Sequence, residues 1–334
     1  LSTLRGLNHL MDIYVKKAII HQFSPDDTDL YLADKFLNIT PKIEEYLRKK
    51  IERVYSDEAR TGIFEEDNPF LEMISDDLLE TSVVVANRWK EEFVVSENQK
   101  TNDLVFVQFS KEGVDHFAFL RIALRETLTH LGGEVDNPIK LTQNNLPGFG
   151  TGADEALVIN LQSRKYHLIE KRIKYNGTFL NYFSENLLQA QPKISPKKSI
   201  KALEKTAQKI AESFNTDDFQ FQSKVKSAIF NHIEEENKLS PEKLADDLFD
   251  DNLTARLSFI DQVKEAVPEP VTFEEIDASR QLKKFENQKL SLSNGIELIV
   301  PNNVYEDAES VEFILNENGT YSILIKNIED IQSK

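Results

Sequence analysis

The residues in this sequence that are most suited to a chemical role are the lysines and arginines between positions 163 and 210. This segment holds 11 Lys and Arg against three acidic residues, a local charge of +8 in a chain whose net charge is −17. A four-residue spacing places several of the lysines along one side of a predicted helix. Such a ridge can contact DNA phosphates without recognising bases. The candidate DNA-contacting residues are Arg164, Lys165, Lys171, Arg172, Lys174, Lys197, Lys198, Lys201, Lys205 and Lys209.

The same cations have a second explanation that composition supports equally well. The chain carries 57 Asp and Glu against 40 Lys and Arg, so the basic segment could be a solvated face that pairs with the protein's own carboxylates. The sequence pI of 4.9 is also far below the basic value typical of a DNA-binding domain. Both interpretations therefore stay open at the level of the sequence.

A weaker pattern suggests metal-dependent nuclease chemistry. Asp154 precedes the run Glu170-Lys171-Arg172, which loosely follows the order of an acid on one strand and an acid with a lysine on the next. Arginine stands where the nuclease pattern has lysine, and arginine cannot lose its proton to activate water. A solvated group of strand-end charges explains these residues better.

Other catalytic and cofactor-binding arrangements find little support. The glycines at 148, 150 and 152 are not preceded by a strand or followed by a helix, so they predict a mobile loop instead of a phosphate-binding turn. The six histidines are scattered, and the absence of cysteine excludes disulfides, thiol nucleophiles and cysteine-ligated metals. The sequence predicts a protein that is not an enzyme, with no cofactor and no metal ion.

The composition is that of an ordinary globular protein. The hydrophobic fraction is 40%, and no apolar run approaches the length of a membrane span. The large negative charge predicts repulsion from anionic membranes. No signal-peptide core is visible at the start, which predicts a cytoplasmic location. We expect residues 1–10, which precede Met11, to be a leader or a cloning remnant.

The elements that would position these residues are predicted to form a mixed αβ N-terminal domain over residues 11–191. Strands are predicted at 12–23, 30–37, 104–109, 117–124 and 156–161, with an extended pair around 166–174. Thr40-Pro41 predicts the start of a helix that runs to about residue 55, and Asn68-Pro69 predicts a longer helix to about residue 95. Residues 136–153 are predicted to form a loop, and residues 178–188 a helix.

Two prolines, Pro192 and Pro196, predict a domain boundary. Residues 192–334 are then expected to form a second domain, which begins with helices at 197–214, 219–237 and 240–249 and a shorter one to 267. The chain is predicted to end in β-hairpins whose turns are Asn294-Gly295 and Asn318-Gly319. The fold class expected from this order of elements is α+β.

The order of these segments resembles the bacterial nucleoid-associated protein family called NdpA or YejK. The similarity begins with the Ile-Ile-His-Gln-Phe run that ends at Phe23. It continues through the helix and turn at 46–62 and the strands at 103–109 and 117–124. It then includes the strand at 156–161, the Tyr-Asn-Gly-Thr-Phe-Leu-Asn-Tyr-Phe stretch at 175–183 and the hairpins after Asn294. No short catalytic motif carries the resemblance, which rests on order and spacing.

This resemblance implies a cytoplasmic, nucleoid-located protein that binds DNA and acts alongside type II topoisomerases. The leading hypothesis is weak, sequence-independent binding to the backbone of double-stranded DNA through the basic segment. The alternative is an acidic adaptor that a protein partner, such as a type II topoisomerase, recruits to the nucleoid. A metal-dependent nuclease is the third. A homodimer would double the basic surface and increase avidity.

Overall fold

The chain divides into two units at the bond between Ser195 and Pro196. The computed structural model describes residues 12–26, 28–96, 100–130, 139–215, 218–273 and 275–332. The predicted leader before Met11 lies outside these residues. Helices and strands are both abundant, so the α+β class is confirmed. None of the helices in the described ranges combines the length and apolar character needed to cross a membrane.

The first unit is built on strands and three α-helices, and a single turn of π-helix covers Phe183–Leu187. Its helices are α1 Pro41–Glu52, α2 Pro69–Glu72 and α3 Leu78–Phe93. Its strands are β1 Ile13–Ser24, β2 Asp29–Tyr31, β3 Arg60–Ile63, β4 Asn102–Lys111, β5 Val114–Ala123, β6 Arg125–His130, β7 Ile139–Asn145, β8 Glu155–Asn160, β9 Lys165–Ile169, β10 Ile173–Tyr175 and β11 Thr178–Leu180.

Seven of these strands form one antiparallel sheet in the order β2-β1-β4-β5-β8-β9-β3. Alternate residues along each strand face opposite sides of the sheet, and both sides are covered. One side packs against α3 and the π-helix through Phe106 and Phe119, and the other packs against α1 through Val107 and Leu120. The sheet therefore forms the middle of three layers, which explains why its central strands are almost wholly apolar.

A buried ion pair lies on the α3 side of this sheet. Arg121 on β5 and Glu155 on β8 are register partners, and Arg121 Nε donates to Glu155 Oε2 at 2.6 Å. Glu155 is fully buried and Arg121 is 7% exposed. Because an isolated buried charge is costly, the two side chains depend on each other and on the hydrogen bonds around them.

Three neighbouring groups complete this network. Arg121 Nη1 donates to Asn102 Oδ1 at 2.8 Å, and the Tyr182 hydroxyl donates to Glu155 while accepting from Trp89 Nε1 at 3.0 Å. Burial, together with the Glu155 carboxylate, raises the pKa of Tyr182, so its hydroxyl keeps the proton that it donates. The network therefore connects β4, β5 and β8 with α3 and the segment before the π-helix.

The second unit packs its helices around a separate apolar core. Its helices are α4 Pro196–Ser213, α5 Phe219–Glu236, α6 Pro241–Leu248, α7 Leu253–Lys264, α8 Ser279–Phe285 and α9 Asn302–Tyr305. Its strands are β12 Lys238–Leu239, β13 Val271–Thr272, β14 Asn287–Ser291, β15 Glu297–Pro301, β16 Val311–Leu315 and β17 Tyr321–Ile325. The predicted hairpin turns are confirmed, since Gly295 and Gly319 have φ of 86° and 79°, values that favour glycine.

Several sequence predictions are wrong in detail. The predicted helix at 178–188 is instead the strand β11, which pairs with β10 across the Asn176-Gly177 turn, and then the short π-helix. The predicted helix from Pro69 to about residue 95 is interrupted, because the Asp77 side chain caps a new helix by accepting from the backbone N–H of Leu79. The strand predicted at 30–37 is much shorter in the structure, where β2 ends at Tyr31.

The predicted loop over 136–153 is also wrong in part. Residues Ile139–Asn145 form β7, which pairs with β6 in a separate two-stranded sheet, and residues 136–138 lie outside the described ranges. The extended pair predicted around 166–174 exists as two strands, but they do not pair with each other. Within the described chain, β9 pairs with β8 and β3, whereas β10 pairs with β11.

We expect removal of either member of the buried pair to destabilise the protein strongly. Glu155→Leu or Arg121→Met should each lower the free energy of unfolding by about 3–5 kcal/mol, because each leaves an uncompensated buried charge. The double variant should cost clearly less than the sum of the two single changes. Urea unfolding of the four proteins measures this coupling.

The exposed ion pair between Lys16 and Asp115 on the same sheet provides the matched control. The corresponding cycle with Lys16→Met and Asp115→Leu should give a coupling below about 1 kcal/mol. Additive effects of Glu155→Leu and Arg121→Met would contradict the importance assigned to the buried pair.

Candidate nucleic-acid interface

The lysines of α4 occupy one exposed side of that helix. Its apolar side is buried through residues that include Ile200, Leu203 and Ala207. The predicted four-residue series lies on the opposite, solvent-exposed side together with one further lysine. The exposed lysines of α4 are Lys197, Lys198, Lys201, Lys205 and Lys209. We call these five residues the α4 lysine face.

Most of this face has no neutralising carboxylate. Within the described ranges, Lys198, Lys201 and Lys205 form no ion pair with an acidic side chain. Lys209 Nζ donates to the neutral Gln262 Oε1 at 2.9 Å. The acid that interrupts the series, Glu204, is itself paired with Lys284 at 3.1 Å. The positive charges of Lys198, Lys201 and Lys205 are therefore not neutralised by a described carboxylate.

The candidate cations of the first unit do not form a single patch. Arg164 lies in the turn before β9 and Lys165 begins that strand, whereas Lys171 and Arg172 follow its other end. Seven residues of extended chain separate positions 164 and 171, a span of about 23 Å. Lys174 lies further on, in the β10–β11 hairpin.

Several of these first-unit cations have partners within the fold. Lys171 Nζ lies 2.6 Å from Asp154 Oδ1, and Arg172 Nε donates to Asn181 Oδ1 at 3.4 Å. Arg164 lies 3.8 Å from Glu66 Oε2. Carboxylates therefore offset the positive charges of Arg164 and Lys171, whereas Arg172 has a neutral partner.

The carboxylates considered for nuclease chemistry are occupied by basic partners. Asp154 accepts from Lys171 and from the backbone N–H of Ala123 at 2.9 Å. Burial favours its neutral form, but these hydrogen bonds outweigh burial and hold the pKa of Asp154 below its ordinary value. Glu170 pairs with Arg60 and accepts from the backbone N–H of Ser184 at 3.0 Å. Each acid thus contributes to a different local structure.

Metal-ligating side chains are dispersed in the same way. Among the described residues, no three His, Asp or Glu side chains lie close enough to hold a metal ion. His21 is buried, and both its ring nitrogens have partners, Nε2 with Ser82 Oγ at 2.9 Å and Nδ1 with the backbone N–H of Ala33 at 3.0 Å. Burial lowers the pKa of His21 to about 4, so the ring is neutral at pH 7 and structural.

Lys50 is a buried cation that the sequence analysis did not identify. Its ammonium group donates to the backbone carbonyls of Pro147 at 3.4 Å, Gly148 at 2.9 Å and Thr151. Tyr46, one helical turn earlier, donates its hydroxyl to the Pro147 carbonyl at 3.0 Å. The glycine-rich segment thus presents carbonyl oxygens to a lysine of α1, an arrangement unsuited to binding phosphate.

The comparison with known families confirms the family resemblance that the order of segments suggested. The family described as NA37, nucleoid-associated protein YejK, matches residues 19–331, nearly the whole chain. The chain belongs to this family. No curated protein matches the chain. Membership places the protein with the nucleoid.

The environment of Lys50 predicts a pH effect on stability. Burial, with a smaller contribution from Arg53 and Arg125, lowers the pKa of Lys50 from 10.5 to about 8. Between these values the unfolded chain binds more protons than the native protein, so this group makes stability rise with pH. We expect a gain of about 2 kcal/mol between pH 7 and pH 10 that is absent from Lys50→Met.

Urea unfolding of the wild type and Lys50→Met across this pH range measures the effect. Lys42→Met, at an exposed lysine of the same helix, is the control and should retain the wild-type pH dependence. An equal rise in stability for the wild type and Lys50→Met would show that Lys50 is not the group responsible.

Proposed function

We propose that this nucleoid-associated protein binds double-stranded DNA directly and without sequence preference, through the α4 lysine face. The observation that carries the proposal is a row of exposed lysines on one side of a single helix, of which Lys198, Lys201 and Lys205 form no ion pair with a described acidic side chain. Backbone contacts of this kind need positive charge and correct spacing but no base recognition. We further propose that the protein acts in the cytoplasm, on the nucleoid, and without catalysis.

The dimensions of the face suit a DNA backbone. From Lys197 to Lys209 the helix rises about 18 Å, and one DNA strand presents a phosphate about every 3.4 Å of axis. The face therefore extends over about five phosphates of one strand. With three or four phosphates neutralised, the binding would be weak and strongly dependent on salt.

The first-unit cations would contribute less to this binding. Arg164 and Lys171 pair with Glu66 and Asp154, so a phosphate would have to displace a carboxylate that is already in place. We propose that a first-unit cation assists DNA binding only where its ion pair with a carboxylate is exposed and therefore weak.

An acidic adaptor is the competing function, and one feature favours it. The segment from 56 to 82 carries nine acidic residues against one arginine, and the carboxylates of Glu65, Glu66 and Asp67 are among those that are exposed. Such a surface could engage a basic protein partner, of which a type II topoisomerase is the example implied by the family resemblance. In that case the protein would need no affinity of its own for DNA.

Fluorescence anisotropy of a labelled duplex against salt separates these functions. For the wild type we expect log K to fall with log salt at a slope of about −3 to −4, which weakens binding by about 100-fold between 50 and 200 mM salt. Lys198→Gln/Lys201→Gln/Lys205→Gln should reduce the magnitude of the slope by about 2.7, because three phosphate contacts are lost.

The matched control is Lys264→Gln/Lys283→Gln/Lys289→Gln. It makes the same change in net charge at exposed lysines of the same unit outside α4, and it should keep the wild-type slope. Binding that survives unchanged in the α4 triple variant would show that the site is wrong. No binding at 50 mM salt would favour the adaptor, and magnesium-dependent cleavage lost in Asp154→Ala would establish a nuclease.

A further inference from the structure

The hairpin formed by β16 and β17 is a two-stranded sheet in the described ranges, and the outer edge of β17 is open. Its register pairs Phe313 with Ile323, and hydrogen bonds close both of its ends, from Asn316 N to Thr320 O at 2.8 Å and from Lys326 N to Ser310 O at 2.9 Å. Hydrogen-bonded pairs alternate along an antiparallel ladder, so Ser322 and Leu324 bond to β16. The N–H and C=O groups of Tyr321, Ile323 and Ile325 therefore point away from β16. Within the described ranges, β17 has no second neighbouring strand.

The residues of β17 are unusual for an exposed edge. Natural edges are normally protected by charged residues or proline. The neighbouring hairpin follows that rule, with Lys289 on the outer side of β14 and both Glu297 and Pro301 on β15. The five residues of β17, Tyr-Ser-Ile-Leu-Ile, include no charge and no proline.

Apolar side chains on this strand are also exposed. Tyr321 is 52% exposed, Leu324 47% and Ile325 48%. Tyr321 is held in position by an edge-to-face contact with Phe219, whose ring centroid lies 5.2 Å away. The edge thus combines unpaired backbone groups, exposed apolar surface and an anchored aromatic ring, which are the features that favour the addition of a strand.

We propose that this edge is the interface for a second copy of the chain, which adds its own β17 antiparallel about Ile323. In this register Tyr321 faces Ile325 of the second copy, Ser322 faces Leu324, and Ile323 faces itself. Every outward-pointing backbone group then has a partner, and the two strands exchange six hydrogen bonds. Because the same residues serve both copies, the interface is self-complementary and closes as a two-fold dimer.

The absence of charge on β17 favours a second copy of the chain as the partner at this edge. The five paired positions are uncharged, so two copies meet there without opposing like charges, although each carries a net charge of −17. A basic or acidic peptide would gain nothing from such an edge. The result would be a four-stranded sheet made of β16 and β17 from both copies, which is more stable than an isolated two-stranded hairpin.

A charge-swap pair of variants tests the proposed register. Ser322→Lys/Leu324→Lys places lysines opposite each other twice in the dimer, and like charges opposite each other destabilise a sheet. Ser322→Glu/Leu324→Lys places opposite charges in the same positions, and in both variants position 324 lies across from Glu312 of its own hairpin. Sedimentation equilibrium should show a wild-type dimer, about tenfold weaker association for the first variant, and restored association for the second.

The control variant adds the same charge elsewhere in the second unit. Leu253→Lys/Leu257→Lys alters two leucines of α7 that are 59% and 57% exposed, and the dimer should persist. Circular dichroism and thermal unfolding of each variant establish that it is folded. A monomeric wild type, or equal weakening by both Ser322/Leu324 variants, would overturn the proposal.

A cysteine variant provides an independent test of the two-fold position. The wild-type chain contains no cysteine, so Ile323→Cys introduces a single thiol. In the proposed dimer this thiol faces the thiol of position 323 in the second copy, with about 5.5 Å between the Cα atoms, which is within disulfide range. Mild oxidation should give a covalent dimer of Ile323→Cys and much less of Leu324→Cys, whose opposite residue is Ser322. Equal cross-linking of the two variants would contradict the register. These measurements need no DNA, so they are independent of the proposed function.

Discussion

The ion pair between Arg121 and Glu155 is the constraint on which the first unit depends. One carboxylate accepts hydrogen bonds from β5, from Tyr182 and from the backbone N–H of Lys171 at 3.3 Å. A charge buried this completely must have all its partners in place, so the strand register and the irregular segment after β9 are fixed together. The pair explains how residues 170–188, which form only short elements, are held against a regular sheet.

Charge is used differently in the two units. In the first, Arg60, Arg121 and Lys171 are each paired with a carboxylate that the fold requires. In α4, lysines even occupy the first turn, where no acidic residue is present and where the helix dipole disfavours cations by about 0.3–1 kcal/mol. Lys198 lies in this turn and forms no ion pair with a described acidic side chain, which is why we propose DNA contact for α4 and not for the first unit.

The sequence predicted regular elements well and tertiary contacts poorly. Thr40-Pro41 and Ser240-Pro241 begin helices as expected, because caps and proline act locally. A strand was predicted at 117–124 and is present as part of β5, yet the sequence could not show that Arg121 lies opposite Glu155, since that contact joins residues 34 apart.

Lys50 gave no signal in the sequence for a similar reason, because its partners are backbone carbonyls 97–101 residues away.

The error at 178–188 has another origin. A pattern that suited a helix was overridden by the Asn176-Gly177 turn, with φ of 48° and 77°, which favours a hairpin. Within the basic segment, a count of charges could not distinguish cations paired with carboxylates, such as Lys171, from those of α4.

The distance over which charges act reconciles the acidity of the protein with the DNA contact proposed for α4. At physiological ionic strength the screening length is about 8 Å, so carboxylates further away than this contribute little to the potential at α4. Lysines four residues apart are separated by about 6 Å along the helix and therefore reinforce one another within that length. Under the proposed function, the few lysines of α4 keep the number of neutralised phosphates small.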